Sequence, residues 1–153
     1  MRRNRMGTLI GTIVDEITFT VERGKVAEFA RATYTQDPVH TDQNAAAEAG
    51  FASEPATGTH VVVAGHHRDQ RAVVAHLGLE LSRIVVGSVK WEYERPLLVG
   101  DNLTGIRIII GDETKEGKRG GSMRVITLET KFRDKNGLMV SRQQETLIER
   151  GQS

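Results

Sequence analysis

Thr59–Leu77, which reads THVVVAGHHRDQRAVVAHL, is the stretch that decides the fold class. It contains no proline and is long enough for about five turns of α-helix. Its first part, His60–Gly65, is apolar on nearly every side. A helix of this kind is normally surrounded by other structure and does not lie on a surface. The stretch therefore predicts a long central helix with a second layer wrapped around it.

The residues after this helix predict an antiparallel meander. Three stretches read as strands or paired strands: Ser88–Arg95, Leu103–Ile110 and the hairpin Ser122–Glu149. In the first of them, strict alternation puts Val89, Trp91 and Tyr93 on one face, which we expect to be buried. Helices do not alternate with these late strands, so a parallel βαβ sheet is disfavoured.

The turn of the hairpin and the faces of its neighbours follow from residue type. Asp134–Gly137 contains Asn-Gly, the pair that supplies the positive φ of a tight hairpin. Alternation gives each of two strands one apolar face: Ile126, Leu128 and Phe132 in the first arm, and Ile106, Ile108 and Ile110 in the preceding strand. These patterns support a sheet with at least four consecutive strands.

The residues before the central helix predict one strand and two helices. They are an edge strand over Ile10–Val21, a helix over Lys25–Thr33 and a short helix over Asn44–Ala49. Thr41 or Asp42 can N-cap the short helix, and Gly50 suits the position after its end. The fold class predicted from the whole order is α+β, an antiparallel sheet wrapped around a long central helix.

Length and composition predict one soluble domain over residues 7–150, with Met1–Met6 disordered. The 153 residues carry 21 basic and 20 acidic side chains, a formal net charge of +1, which gives no general attraction to nucleic acid or membranes. No apolar run has the length of a signal peptide or a membrane span. Cysteine is absent, which excludes disulfides and is compatible with a cytoplasmic location.

The chain also resembles the MaoC-like dehydratase family, in particular its N-terminal dehydratase-type domains. The resemblance is carried in order by Val21–Gly65, Gly78–Leu79, Leu81–Gly87, Trp91–Leu97, Gly100–Asp101 and Thr146–Arg150. No one of these motifs is specific, but their combination covers nearly the whole chain. The resemblance implies the hot-dog fold and a protein that acts on acyl thioesters of coenzyme A or acyl carrier protein. It further implies sheet-edge dimers with the site at the seam.

The same resemblance identifies a candidate catalytic loop. In active members this loop reads roughly Gly-Asp-x-Asn-Pro-hydrophobic-His, and its Asp and His form the catalytic pair. Here the corresponding residues are Tyr34–His40, in which Pro38 and His40 match the motif. Thr35 stands at the position of the Asp, and Asp37 stands at the position of the Asn. A hydroxyl cannot act as a carboxylate base near neutral pH, so Thr35 breaks the expected pair.

A second loop of the family supplies a glycine N–H that polarises the thioester carbonyl. The corresponding residues here are Pro55–Thr59, and the family's His-Gly pair is Thr57-Gly58. Gly58 and Thr59 begin the predicted central helix, where free N–H groups and the helix dipole suit a developing enolate oxygen. They are the predicted substrate-binding residues.

These residues lead to three functional hypotheses. The first is an acyl-thioester hydratase or dehydratase, with His40 as acid/base, Asp37 replacing the missing carboxylate or orienting His40, and Thr35 binding water. The second is a non-catalytic acyl-binding hot-dog subunit of a hetero-oligomeric dehydratase. The third is a hot-dog thioesterase using Asp37, Asp42 or Glu48. The resemblance implies a homodimer or a hetero-oligomer with another hot-dog chain, and we expect no metal or other cofactor.

Overall fold

Five antiparallel strands form one sheet in a computed structural model that describes residues 9–118 and 120–151. The strands are β1 (Ile13–Thr20), β2 (Ile84–Tyr93), β3 (Asn102–Glu116), β4 (Ser122–Arg133) and β5 (Met139–Arg150), in the order β1-β3-β4-β5-β2. The predicted N-terminal strand is therefore an edge strand, as expected. The expected disorder of Met1–Met6 concerns residues outside the described part of the chain.

The β4–β5 hairpin forms as its sequence predicts. The side chain of Asp134 accepts hydrogen bonds from the backbone N–H groups of Asn136 (2.8 Å) and Leu138 (3.0 Å). Gly137 has φ +80°, the left-handed conformation that Asn-Gly turns need. Ile126, Leu128 and Phe132 are fully buried and line the inner face of the sheet.

The helices before residue 59 also form close to their predicted bounds. The α-helices are α1 (Arg23–Ala32) and α2 (Gln43–Glu48). Val26 and Ala30 bury one side of α1. The Asp42 side chain N-caps α2 by accepting from two backbone N–H groups, and Gly50 has φ +91° just after its end.

The predicted long helix over Thr59–Leu77, called the central segment below, is interrupted in the structure. Its first part, His60–His67, is a 3₁₀ helix, and its last part is the α-helix α3 (Gln70–His76). Arg68 between them is extended, and the Asp69 side chain starts α3 by accepting from the Ala72 N–H at 3.0 Å. The prediction of one continuous helix was wrong because Asp69 is a helix-start signal inside an otherwise apolar stretch.

The central segment packs against the inner face of the sheet. Val61 and Ala64 belong to the main hydrophobic core together with residues from β1, β3, β4 and α1: Ile17, Phe19, Val26, Leu103 and Phe132. A second cluster lies under α3, where Val73 and Leu77 contact Ile109, Ile126 and Leu128. The sheet therefore holds the central segment along its length, which is the layer arrangement that the sequence predicts.

Two faces differ from their sequence-based description. Val89 and Tyr93 on β2 are 37% and 36% exposed in this chain because β2 is the second edge strand of the sheet. Ile106, Ile108 and Ile110 of β3 share a face, but it is the outer face of the sheet, where Ile106 is 36% exposed. The buried residues of β3 alternate with these isoleucines and face the inside of the sheet. They include Arg107, which is 3% exposed.

Candidate functional site

The loop before α2 holds His40 at the end of a short 3₁₀ helix, Pro38–His40. Pro38 suits the first helical position because its missing N–H needs no partner there. The Asp37 carboxylate caps this helix by accepting from the Val39 N–H at 3.1 Å. The local sequence Asp-Pro-Val-His therefore forms a capped turn that fixes the position of the histidine. The Asp37 carboxylate is bound to the backbone in this turn.

The ring of His40 joins the two predicted site loops. Its Nδ1 lies 2.6 Å from the carbonyl oxygen of Pro55, and the side chain is half-buried. A carbonyl oxygen only accepts hydrogen bonds, so Nδ1 carries a proton, and in the neutral ring Nε2 carries the lone pair. Pro55 is itself held by a β-bridge to Leu98. The structure thus brings His40 to the loop that leads into Gly58, with Nε2 available as a base.

Thr35 and Asp37 do not complete a pair with this ring. The Thr35 hydroxyl lies 3.1 Å from the Thr33 hydroxyl, at the C-terminal end of α1. Within residues 9–118 and 120–151, no carboxylate makes a hydrogen bond to the His40 ring, and the Asp37 carboxylate bonds only to Val39. The loop presents a histidine whose hydrogen-bonded partner is a backbone carbonyl.

Gly58 and Thr59 lie where the central segment begins. His60 donates its N–H to the Thr57 carbonyl at 3.0 Å, so the first helical bond spans these two residues. In the described part of the chain the Gly58 and Thr59 N–H groups have no acceptor. Gly58 is exposed, and a Cβ placed on it would meet no atom within 4 Å. Such N–H groups can stabilise an oxyanion.

Tyr93 is a further residue of this site, although its sequence pattern predicts only a place on a buried strand face. Its hydroxyl donates a hydrogen bond to the Gly58 carbonyl. Burial raises the pKa of Tyr93 to about 12, so the hydroxyl remains a donor at neutral pH. The bond ties the edge strand β2 to the oxyanion loop. The alternation of β2 predicts that Tyr93 lies on the same face as Trp91. It does not predict that Tyr93 bonds to a residue 35 positions away.

Four charged side chains form a buried cluster between the sheet and the central segment. This ion cluster consists of Asp15, Arg68, Arg107 and Glu145. Arg107 binds the Asp15 carboxylate through two nitrogens, at 3.1 and 2.7 Å, and donates to Glu145 at 2.8 Å. Arg68 donates to Asp15 and to the Thr130 hydroxyl. Burial and the nearby Arg107 lower the pKa of Arg68.

The ion cluster was missed by sequence reasoning, although one signal pointed to it. Arg107 occupies the same strand parity as Leu103 and Ile109, which are both buried. A charged residue at a buried position needs a partner of opposite charge. The identity of that partner depends on long-range strand pairing, which alternation within one strand cannot provide.

The remaining histidines are spread over different surroundings. His60 is buried and packs edge-on against the Phe29 ring, with 5.3 Å between ring centroids. Burial, together with the charge of Lys25, lowers the pKa of His60. His67 lies beside Phe19 at the other end of the 3₁₀ helix. In the described ranges no three His, Cys, Asp or Glu side chains are grouped to hold a metal ion, and no helix is long and apolar enough to cross a membrane.

Comparison with known proteins identifies relatives over nearly the whole chain. The family described as the FAS1-like dehydratase domain region matches residues 8–143. A UPF0336 protein of Clavibacter michiganensis subsp. michiganensis is 36% identical over 134 residues, which cover 87% of each chain.

Solved structures share the same fold at lower identity. A chain of the HadBC (3R-hydroxyacyl-ACP dehydratase) complex from Mycobacterium tuberculosis superposes with a TM-score of 0.78 at 24% identity, covering 92% of this chain and 96% of the other. A MaoC-like dehydratase superposes with a TM-score of 0.81 at 23% identity, covering 94% of this chain and 43% of the other. These matches confirm the hot-dog fold that the sequence predicts.

Proposed function

The chain belongs to the FAS1-like dehydratase family and has a MaoC-like hot-dog domain, and from this premise we propose that it is the acyl-binding, non-catalytic subunit of a hetero-oligomeric acyl-thioester hydratase or dehydratase. The thioester carrier would be coenzyme A or acyl carrier protein, in the cytoplasm. A second hot-dog chain would supply the Asp–His pair. The observation that carries the proposal is the set of contacts around His40.

Hydration of an enoyl thioester has three chemical requirements. A water must be activated, a proton must reach the α-carbon, and negative charge on the thioester oxygen must be stabilised. The N–H of the exposed Gly58, which has no acceptor in the described residues, suits the third requirement. The first two normally use a carboxylate and a histidine together, and here Asp37 caps a helix while Thr35 replaces the family's Asp. The chain is therefore better equipped to bind the thioester than to transfer protons.

The edge strand β2 supports a partner chain beside this site. Val85, Val86 and Val89 on β2 are 40%, 61% and 37% exposed, and no strand of the described residues pairs with the outer edge of β2. An apolar, unpaired edge is a template for strand pairing with another chain. Because Tyr93 on β2 holds the Gly58 carbonyl, a partner on this edge would lie close to the oxyanion loop.

A specific observation also favours the alternative in which this chain is itself a hydratase. Nε2 of His40 carries a lone pair because Nδ1 donates to Pro55, so the ring could act as a base without a carboxylate. The thioesterase alternative has less support. Asp42 caps α2 through bonds of 2.7 and 3.0 Å, and Glu48 is exposed at its end.

Hydration of crotonyl coenzyme A by purified protein distinguishes these functions. The chain is assayed alone and after co-expression with a hot-dog chain encoded beside its gene, following the loss of the enoyl thioester absorbance. We expect no hydration by the chain alone, and hydration by the two-chain complex. Hydration by the chain alone that is abolished in His40→Ala would contradict the proposal and establish the second function.

A further inference from the structure

A cavity of about 270 Å³ lies between the first part of the central segment and the inner face of β2 and β5. Its apolar walls come from Val61, Val62, Ala64, Val86, Val89 and Phe132. The volume is slightly below the ~300–1,000 Å³ of complete small-molecule sites, so it suits one part of a ligand. The central segment that lines it begins at Gly58 and Thr59, where the thioester oxygen would bind. The cavity is therefore placed to receive the acyl chain of a bound thioester.

The sheet side of the cavity also carries polar side chains. Arg107 and Glu145 of the ion cluster line it as a pair 2.8 Å apart. Trp91 also lines the cavity, and its indole N–H is buried without a hydrogen-bond partner in the described residues. Gln143 pairs with Trp91 across the β2–β5 register, and its carboxamide likewise has no partner there. Two neighbouring side chains thus offer unused hydrogen-bonding groups beside a buried ion pair.

We infer that this cavity selects acyl chains that carry an oxygen beyond the third carbon, such as a keto or hydroxyl group, over plain alkyl chains of the same length. A hydrocarbon chain would displace water from the Gln143 amide and from the Arg107–Glu145 pair, and it would offer no acceptor to the Trp91 N–H, which already lacks a partner in the described residues. A carbonyl or hydroxyl oxygen accepts hydrogen bonds from Trp91 and Gln143 and removes this penalty. The inference rests on the proposed acyl-binding function and names its substrate class.

Binding of two matched thioesters to the full-length protein tests the inference. The probes are octanoyl pantetheine and the same thioester with a ketone on the penultimate carbon, measured by isothermal titration calorimetry. We expect the keto thioester to bind more tightly by roughly threefold to tenfold for each hydrogen bond gained. The ratio should fall towards one in the double variant Trp91→Phe/Gln143→Leu.

Gln144→Leu is the matched control for this experiment. Gln144 follows Gln143 on the same strand but lies on the other face of the sheet, where its amide donates to Glu129 at 3.0 Å. This variant is expected to lose stability while the ratio of the two affinities stays at its wild-type value. Because both affinities are measured on the same protein, a partial loss of folded protein does not change their ratio.

Each outcome separates the inference from the function on which it rests. Equal or tighter binding of octanoyl pantetheine would overturn the selectivity for oxygen while leaving acyl binding intact. An unchanged ratio in the double variant would overturn the assignment to Trp91 and Gln143. Failure of the wild-type protein to bind either thioester would overturn both the inference and the proposed function.

Discussion

The loops around His40 and the ion cluster beneath the central segment use acidic side chains in opposite ways. Asp37 and Asp42 accept hydrogen bonds from backbone N–H groups two residues ahead of them, and both are exposed. Asp15 in the ion cluster is bound by arginines 53 and 92 residues away in the sequence. The carboxylates in and beside the family motif thus stabilise short turns, whereas the carboxylates of the ion cluster, which belong to no motif, join the central segment to the sheet.

Breaking the ion cluster gives the largest expected effect on stability. Arg107→Leu leaves Asp15 and Glu145 without their shared partner inside the fold, and we expect a loss of about 3–5 kcal/mol in the free energy of unfolding. Urea unfolding followed by circular dichroism measures it. The control is Arg133→Leu, which removes one exposed hydrogen bond and is expected to change stability by no more than ~0.5 kcal/mol. A loss below ~1 kcal/mol for Arg107→Leu would mean that the cluster is not structural.

The loops around His40 lie beside a buried carboxylate, Glu54, and the stability that Glu54 contributes to the protein should depend on pH. Hydrogen bonds from Arg23, at 2.7 and 3.3 Å, hold the pKa of Glu54 below its ordinary value near 4.5. A lowered folded-state pKa contributes stability that is present above pH 4.5 and is lost as the pH falls through the folded value. Arg23→Ala should therefore destabilise the protein most at pH 7.

The measurement for Glu54 is the difference in unfolding free energy between wild type and Arg23→Ala at pH 7, 5 and 3. We expect this difference to be nearly constant from pH 7 to 5 and to shrink by pH 3. Lys25→Ala serves as the control, since Lys25 pairs with the exposed Glu22 just before the same helix. A difference that grows towards low pH would contradict the assigned role of Arg23.

Substitution of Asp37 separates capping from catalysis and gives the smallest expected effect. Asparagine can cap a helix but cannot act as a base. Asp37→Asn should therefore leave the free energy of unfolding nearly unchanged and keep the hydration rate of the two-chain complex within about twofold of wild type. Asp37→Ala removes the cap and should cost about 1 kcal/mol. The readouts are thermal unfolding and the crotonyl assay. A hundredfold loss of rate in Asp37→Asn would restore Asp37 as a catalytic residue.

Local sequence signals predicted the local structure well. Asp42 begins α2, Gly50 follows its end, and Asn136-Gly137 form the hairpin turn. These features were predictable because caps and tight turns depend on a few neighbouring residues. The break at Arg68-Asp69 was missed because an apolar stretch without proline fits one long helix as well as two short ones. The N-cap signal of Asp69 was present but weaker than the overall pattern.

The candidate site was only partly predictable, since its contacts are long-range. The family resemblance brought attention to His40 and Gly58, but only the folded chain shows that Pro55 joins them. Sequence position alone could not tell whether Asp37 reaches the ring or caps its own turn. Arg107 and Asp15 meet through the pairing of β1 with β3, which neither strand's pattern specifies.

The most direct test of the central claim is the hydration rate of the two-chain complex when this chain carries His40→Ala. If the chain binds the thioester and its partner transfers the protons, kcat stays within about threefold of the wild-type complex. The contact of His40 Nδ1 with Pro55 then affects only the position of the loop. A loss of kcat of about 10²-fold or more, the size expected for removal of a general acid/base, would show that His40 is catalytic and would contradict the account.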